Sequence, residues 1–101
     1  MICREGEKLD VRMEVDLVSG SGTWALTTPQ YRILTSARAV ASGYDWADAT
    51  WDSTALELYA LFDSTIAALS TPGLYYMQFR GTIGAERVGG EVLVNVTEWG
   101  P

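Results

Sequence analysis

The stretch "LSTPGLYYMQF", residues 69–79, decides how this chain is read. Pro72-Gly73 bends a backbone sharply, because proline presets one φ and glycine accepts positive values of the next. Directly after the bend, Tyr75, Met77 and Phe79 alternate with Tyr76, Gln78 and Arg80, the period of a strand with one buried face. A sharp turn thus delivers the chain into a strand whose first inward residue is a tyrosine. Leu69, on the near side of the turn, is expected to plug the core.

The same alternation recurs upstream. Leu9, Val11, Met13, Val15 and Leu17 interleave with Lys8, Asp10, Arg12, Glu14 and Asp16, which predicts a strand whose polar, mixed-charge face meets solvent. The glycines of "SGSG" (19–22) suit a hairpin turn. Trp24 and Leu26 open a second strand that Tyr31 and Ile33 resume; Pro29, unable to donate to a central ladder, predicts a kink or a change of sheet between them. "ARAVASG" (37–43) reads as a weak strand with Val40 as its core residue, and its alanines leave helix open. Leu56, Leu58 and Ala60 mark another strand. "DSTIAALS" (63–70) holds one short helical turn, with Asp63 or Ser64 as its cap. "YYMQFRGTI" and "EVLVNV" form a last pair of strands, with Val92, Val94 and Val96 inward; the glycines of the intervening "GAERVGG" (84–90) suit a hairpin loop with a bulge. Short strands separated by turn signals predict an all-β fold, an antiparallel sandwich of about seven strands with at most one helical turn. One domain spans residues 1–101, with 1–6 as an N-terminal arm and 98–101 as a tail.

Composition supports a folded core and narrows the chemistry. The chain has 101 residues, is 48% hydrophobic and carries four tryptophans, so it buries roughly two thirds of its extended surface without cross-links. Thirteen acidic against seven basic residues leave a net charge of −6, which repels nucleic acid and anionic membranes as partners. Cys3 is the only cysteine and histidine is absent, which excludes the usual zinc sites and Ser-His or Cys-His catalysis. No cofactor is expected. The charged opening "MICREGEKLD" lacks the apolar core of a signal peptide, and no stretch approaches about 20 apolar residues. The expected address is the cytoplasm of the producing cell or a particle assembled there.

The segment "GYDWADATWD" (43–52) gathers Tyr44, Trp46 and Trp51 with Asp45, Asp48 and Asp52. As a calcium loop its spacing departs from Asp-x-Asp-x-Asp-Gly and lacks the closing glutamate. As an aromatic loop flanked by acceptors (44–52) it offers a platform for a glycan. As a plain connection it covers the sandwich edge or enters a subunit contact. Leu34, Tyr59, Leu61 and Leu93 fall on the parity opposite to the core and are read as outward apolar residues, the mark of a homo-oligomer or of another protein partner. Asp45, Asp48, Asp52, Glu57 and Asp63 pair at glycosidase spacing only as any acidic domain's carboxylates do. The chain is therefore read as not an enzyme. The sequon Asn95-Val96-Thr97 falls within an expected strand and carries no weight.

Two resemblances refine this reading. "LSTPGLYYMQF" resembles the tyrosine corner of immunoglobulin-like sandwiches, in which a tyrosine near the start of a strand sends its hydroxyl back to the backbone of the preceding connection. The resemblance makes Tyr75 the expected corner residue, with Tyr76 expected to face outward. The ring fills the end of the core while the hydroxyl satisfies a backbone group in a buried crossover. The order "REGEKLDVRMEV", "TWALTTPQYRI", "TALELYALF", the corner and "GGEVLVNV" is similar to small immunoglobulin-like domains of tailed-phage and prophage structural proteins, nearest to the N-terminal domain of phage baseplate upper proteins. That resemblance implies a structural role in a tail, baseplate or neck, with other virion proteins as partners and no chemistry; a small protein of a mobile element, with another mobile-element protein as partner, is the further expectation.

Overall fold

A computed structural model describes residues 1–15, 26–83 and 86–98, the side chain of Glu86 apart. Among these residues the strands are β1 (Ile2–Arg4), β2 (Lys8–Glu14), β3 (Leu26–Leu34), β4 (Ala47–Asp48), β5 (Thr50–Asp52), β6 (Glu57–Asp63), β7 (Gly73–Ile83) and β8 (Glu86–Thr97). A 3-10 turn at Ala67–Leu69 precedes β7. The strands form a five-stranded sheet, β1-β8-β7-β3-β4, and a three-stranded sheet, β2-β6-β5. Every pairing is antiparallel except that of β1 with β8. The fold is a small β-sandwich, and the strand orders β2-β6-β5 and β8-β7-β3 follow the B-E-D and G-F-C orders of immunoglobulin-like sandwiches. Eight strands stand against the seven or so expected, because the segment 43–52 contributes two short ones.

Period-2 alternation builds the core. Val11 of β2 and Leu58, Ala60 and Phe62 of β6 meet Ile33, Tyr75, Met77, Phe79, Val94 and Val96 of the larger sheet, all buried. Leu69 is fully buried, as the plug at the end of the sandwich. Tyr75 donates its hydroxyl to the Thr71 carbonyl at 2.8 Å and packs edge-on against Phe62. The corner is present. We predict that Tyr75→Phe destabilises the fold by about 1 kcal/mol, the usual net worth of a buried hydrogen bond. Tyr76→Phe should leave the urea midpoint where it is, since its ring, not its hydroxyl, makes the contact with Arg38; equal shifts for the two variants would refute the corner.

Several expectations are corrected. Residues 1–6 are no arm: β1 adds to the sheet edge in parallel with β8, and Cys3 is buried in the core. Ser64, itself buried, accepts from the Gly6 amide at 2.7 Å and donates to the Arg4 carbonyl at 3.0 Å, so it ties this strand down. Ser64 is therefore no helix cap, and neither is Asp63, whose carboxylate accepts from Thr65 instead; the 3-10 turn has no side-chain cap. Residues 37–43 form no strand. A turn closed by the Thr35 and Arg38 amides folds back on β3, leaving a single bridge from Leu34 to Val40. Val40 is exposed, and Ala41 takes the inward place. Leu34, expected outside, is buried beneath that fold-back although it lies on the outward parity of β3. Leu56 precedes β6, at a φ of 57°.

Residues 86–90 are not loop either: Gly89 and Gly90 lie within β8, opposite Arg80 and Phe79, and the pairing of β7 with β8 runs on to Ile83 opposite Glu86, while Gly84 lies outside the described residues. Pro29 produces the expected kink, though within one sheet: Thr27 pairs with Thr82 and Gln30 with Arg80, so β3 carries one extra residue across the bulge. The turn read into residues 19–22, the strand opening at Trp24, and Asp16 and Leu17 lie outside the described residues, as do residues 99–101 of the expected tail. Among the described residues no helix is long and apolar enough to cross a membrane.

Candidate interaction surface

The outward positions of β3, β7 and β8 are set by register. Arg32, Gln78 and Glu91 lie in one row across the sheet, Leu34, Tyr76 and Leu93 in the next, and Gln30 with Arg80 in a third. Hydrogen bonds run along the first row. Arg32 Nε donates to Gln78 Oε1 at 2.7 Å, and Gln78 Nε2 donates to Glu91 Oε1 at 3.0 Å. Arg38 Nη1 reaches the same carboxylate at 2.8 Å while its guanidinium lies 3.9 Å above the Tyr76 ring. The hydrogen bond from Gln78 and the ion pair with Arg38 hold the Glu91 carboxyl below its ordinary pKa. Trp46 lies beneath two cations, Arg80 at 3.7 Å and Arg32 at 4.6 Å from its ring centre. Stacking of this kind fixes both guanidinium planes.

Beside this polar row the same face turns apolar. Ile2 and Leu93, on β1 and β8, are 67% and 47% exposed, and Val40, bridged to Leu34 on the far side of β3, is 42% exposed. Leu74 and Tyr76 are half-buried between them. Polar and apolar halves are thus joined on one continuous sheet.

The residues of the aromatic loop part company. Trp46 alone joins this face. Tyr44 packs against the core from beside β3, where its carbonyl accepts from the Ile33 amide, and burial pushes its hydroxyl pKa up. Trp51, in β5, pairs with Leu58 and packs inward from the other sheet. Ala49 marks the crossing, its amide donating to the Pro29 carbonyl at 2.9 Å. The carboxylates serve separate ends. Asp45 accepts from the Trp46 amide, and Asp48 is exposed on β4. Asp52 accepts from Ala55 and Thr54, which, with Arg12 nearby, holds its pKa down. The three rings offer no common platform for a sugar.

Tyr59 and Leu61 lie on the opposite side of the molecule from Leu93. Arg12 stacks on Tyr59 at 4.2 Å and contacts Asp10, Asp52 and Glu57, so this outer face of the smaller sheet is a charged cluster. Leu61, 48% exposed, stands opposite Asp10 within it. Sequence parity identified the outward leucines but not which sheet each belongs to. It also missed Ile2 and Arg38, as well as Arg32 and Arg80, whose polar-parity positions are ordinary until Trp46 is set under those two. The chain was compared with family models, curated proteins and solved structures, and none matches.

Proposed function

We propose that the chain is a non-enzymatic structural component of a phage or prophage particle, in its tail, baseplate or neck, that works by protein contact through the outward face of the five-stranded sheet. The observation that carries this reading is the juxtaposition on that face of exposed Ile2 and Leu93 with the stacked Trp46, Arg32 and Arg80. Apolar area at the centre of a patch drives association, and rigid Trp, Tyr and Arg side chains are the usual anchors of an interface. The virion setting rests on the order of strands and corner, which resembles such domains.

Light scattering across a range of concentrations tests the contact. A discrete oligomer is expected, returned to monomer by Leu93→Asp and unaffected by Leu61→Asp on the other face. A wild-type monomer throughout, or equal effects of the two substitutions, would overturn this face as the site of self-association. Peptides of this chain in purified particles from the producing cell would support the virion setting, and particles free of them would count against it.

A further inference from the structure

The molecule is acidic overall, yet its cations are concentrated on one face. Of the seven Lys and Arg residues, Arg32, Arg38, Arg80 and Arg87 occupy or flank the outward side of the five-stranded sheet. Glu91 there is engaged by Arg38. Among the described residues no carboxylate pairs with Arg32, Arg80 or Arg87.

The bulge in β3 opens a groove of about 350 Å³ beside this row, lined by Thr28, Gln30, Arg80, Gly81, Thr82 and Arg87. Thr28, at a φ of 51°, and Pro29 are the residues without a partner in β7, so the strands part here. Arg80 is held in place twice. Its Nε donates to Gln30 Oε1 at 2.9 Å and its Cζ lies 3.7 Å from the centre of the Trp46 ring, which leaves the terminal nitrogens for a ligand. Arg87 stands opposite Thr82 on β8 and supplies the second guanidinium. Among the described residues no carboxylate lines the groove.

A concave site of one charge sign concentrates the field that a flat surface disperses. Two guanidinium forks match the planar, two-oxygen geometry of a carboxylate, with the hydroxyls of Thr28 and Thr82 beside them. We propose that this groove binds the carboxylate side chains of an acidic segment of a partner protein, the apolar end of the same face taking the rest of that partner. The inference rests on the contact role proposed above and names the chemistry of its partner. Nucleic acid is a poorer match, because it needs a basic track along many phosphates and the groove offers two guanidinium groups.

The test is an NMR titration of the labelled protein with hexaglutamate, with hexalysine and inorganic phosphate as parallel arms. Expected are saturable shifts of the Arg80 and Arg87 side-chain N–H groups and of the Gly81 and Thr82 amides with hexaglutamate. Binding should weaken in about 1 M salt, where the screening length is about 3 Å. Affinity should fall at least about tenfold in the Arg80→Gln/Arg87→Gln double variant, for loss of two charge-assisted contacts. Arg87→Gln alone, at an exposed position, serves as the variant whose fold is unaffected, and it should lose part of the affinity. Absent or unsaturable shifts, equal shifts with hexalysine, unchanged binding by the double variant, or phosphate binding without hexaglutamate binding would each overturn the proposal. Loss of hexaglutamate binding alongside an oligomer that Leu93→Asp still dissociates would sink this inference alone and leave the contact role standing.

Discussion

Val11→Asp leaves no folded protein. Val11 is fully buried at the middle of β2, opposite Ala60, and faces the larger sheet. A carboxylate there must either stay charged without a partner in an apolar interior or take up a proton, and both routes cost several kcal/mol. A domain of this size has about 5–15 kcal/mol in total, and a loss of about 4 kcal/mol or more belongs to the unpaired buried charges. The measurement is the urea transition followed by tryptophan emission, together with near-ultraviolet dichroism. Val11→Asp should show neither a cooperative transition nor fixed aromatic signals. Its neighbour is the control. Arg12→Asp changes an exposed side chain and dissolves the cluster with Asp10, Asp52 and Glu57, yet the fold should persist. A folded Val11→Asp beside an unfolded Arg12→Asp would place β2 one residue out of register.

Gly89→Ala is the second large effect, and it separates a strand glycine from a loop glycine. A Cβ built at Gly89 falls 2.4 Å from the Phe79 carbonyl oxygen and 3.3 Å from the Arg80 Cα. Both neighbours are backbone in the partner strand, so nothing flexible can give way and β7 and β8 must separate locally. Overpacking of this kind costs about 1–3 kcal/mol, and the upper end is expected because the ladder itself moves. Gly90→Ala meets the Met13 sulfur at 2.7 Å instead, the end of a flexible side chain. It should cost distinctly less. Equal and negligible losses for both would mean that residues 84–90 are a loop after all.

The contrast between these two glycines shows where sequence reading reaches its limit. Alternation along Leu9, Val11 and Met13, or along Tyr75, Met77 and Phe79, depends only on neighbours in the chain, and those strands and the corner were legible. Gly89 and Gly90 look like turn residues because the reason for them lies across the sheet, in the Phe79 carbonyl and in Met13. Cys3 was missed for a related reason. Three residues are too few to display a period, and the burial of Cys3 is imposed by β8 and by the Ser64 hydroxyl. On the outward face, the exposed leucines were recognisable by parity. The stacking of Arg32 and Arg80 on Trp46 was not, since it depends on a bend that sets the indole over two strands at once. Leu34 shows the converse error, a residue of outward parity buried by a turn that folds back over it.

The pairing of Ile2–Arg4 with the far end of β8 has a consequence for how the molecule forms. The edge of the larger sheet is closed by the first and last of the described strands, a contact between residues more than 90 positions apart in the chain. During synthesis β1 must wait, unpaired, until Thr97 has emerged, so the sheet is completed only after translation of the whole domain. Contacts of such range slow folding, because closure entropy is lost before any contact compensates it. Until β8 arrives, the inward side of Cys3 and the strand edge of β7 are open to neighbouring nascent chains, and the interval before closure is when this domain is most exposed to misassembly.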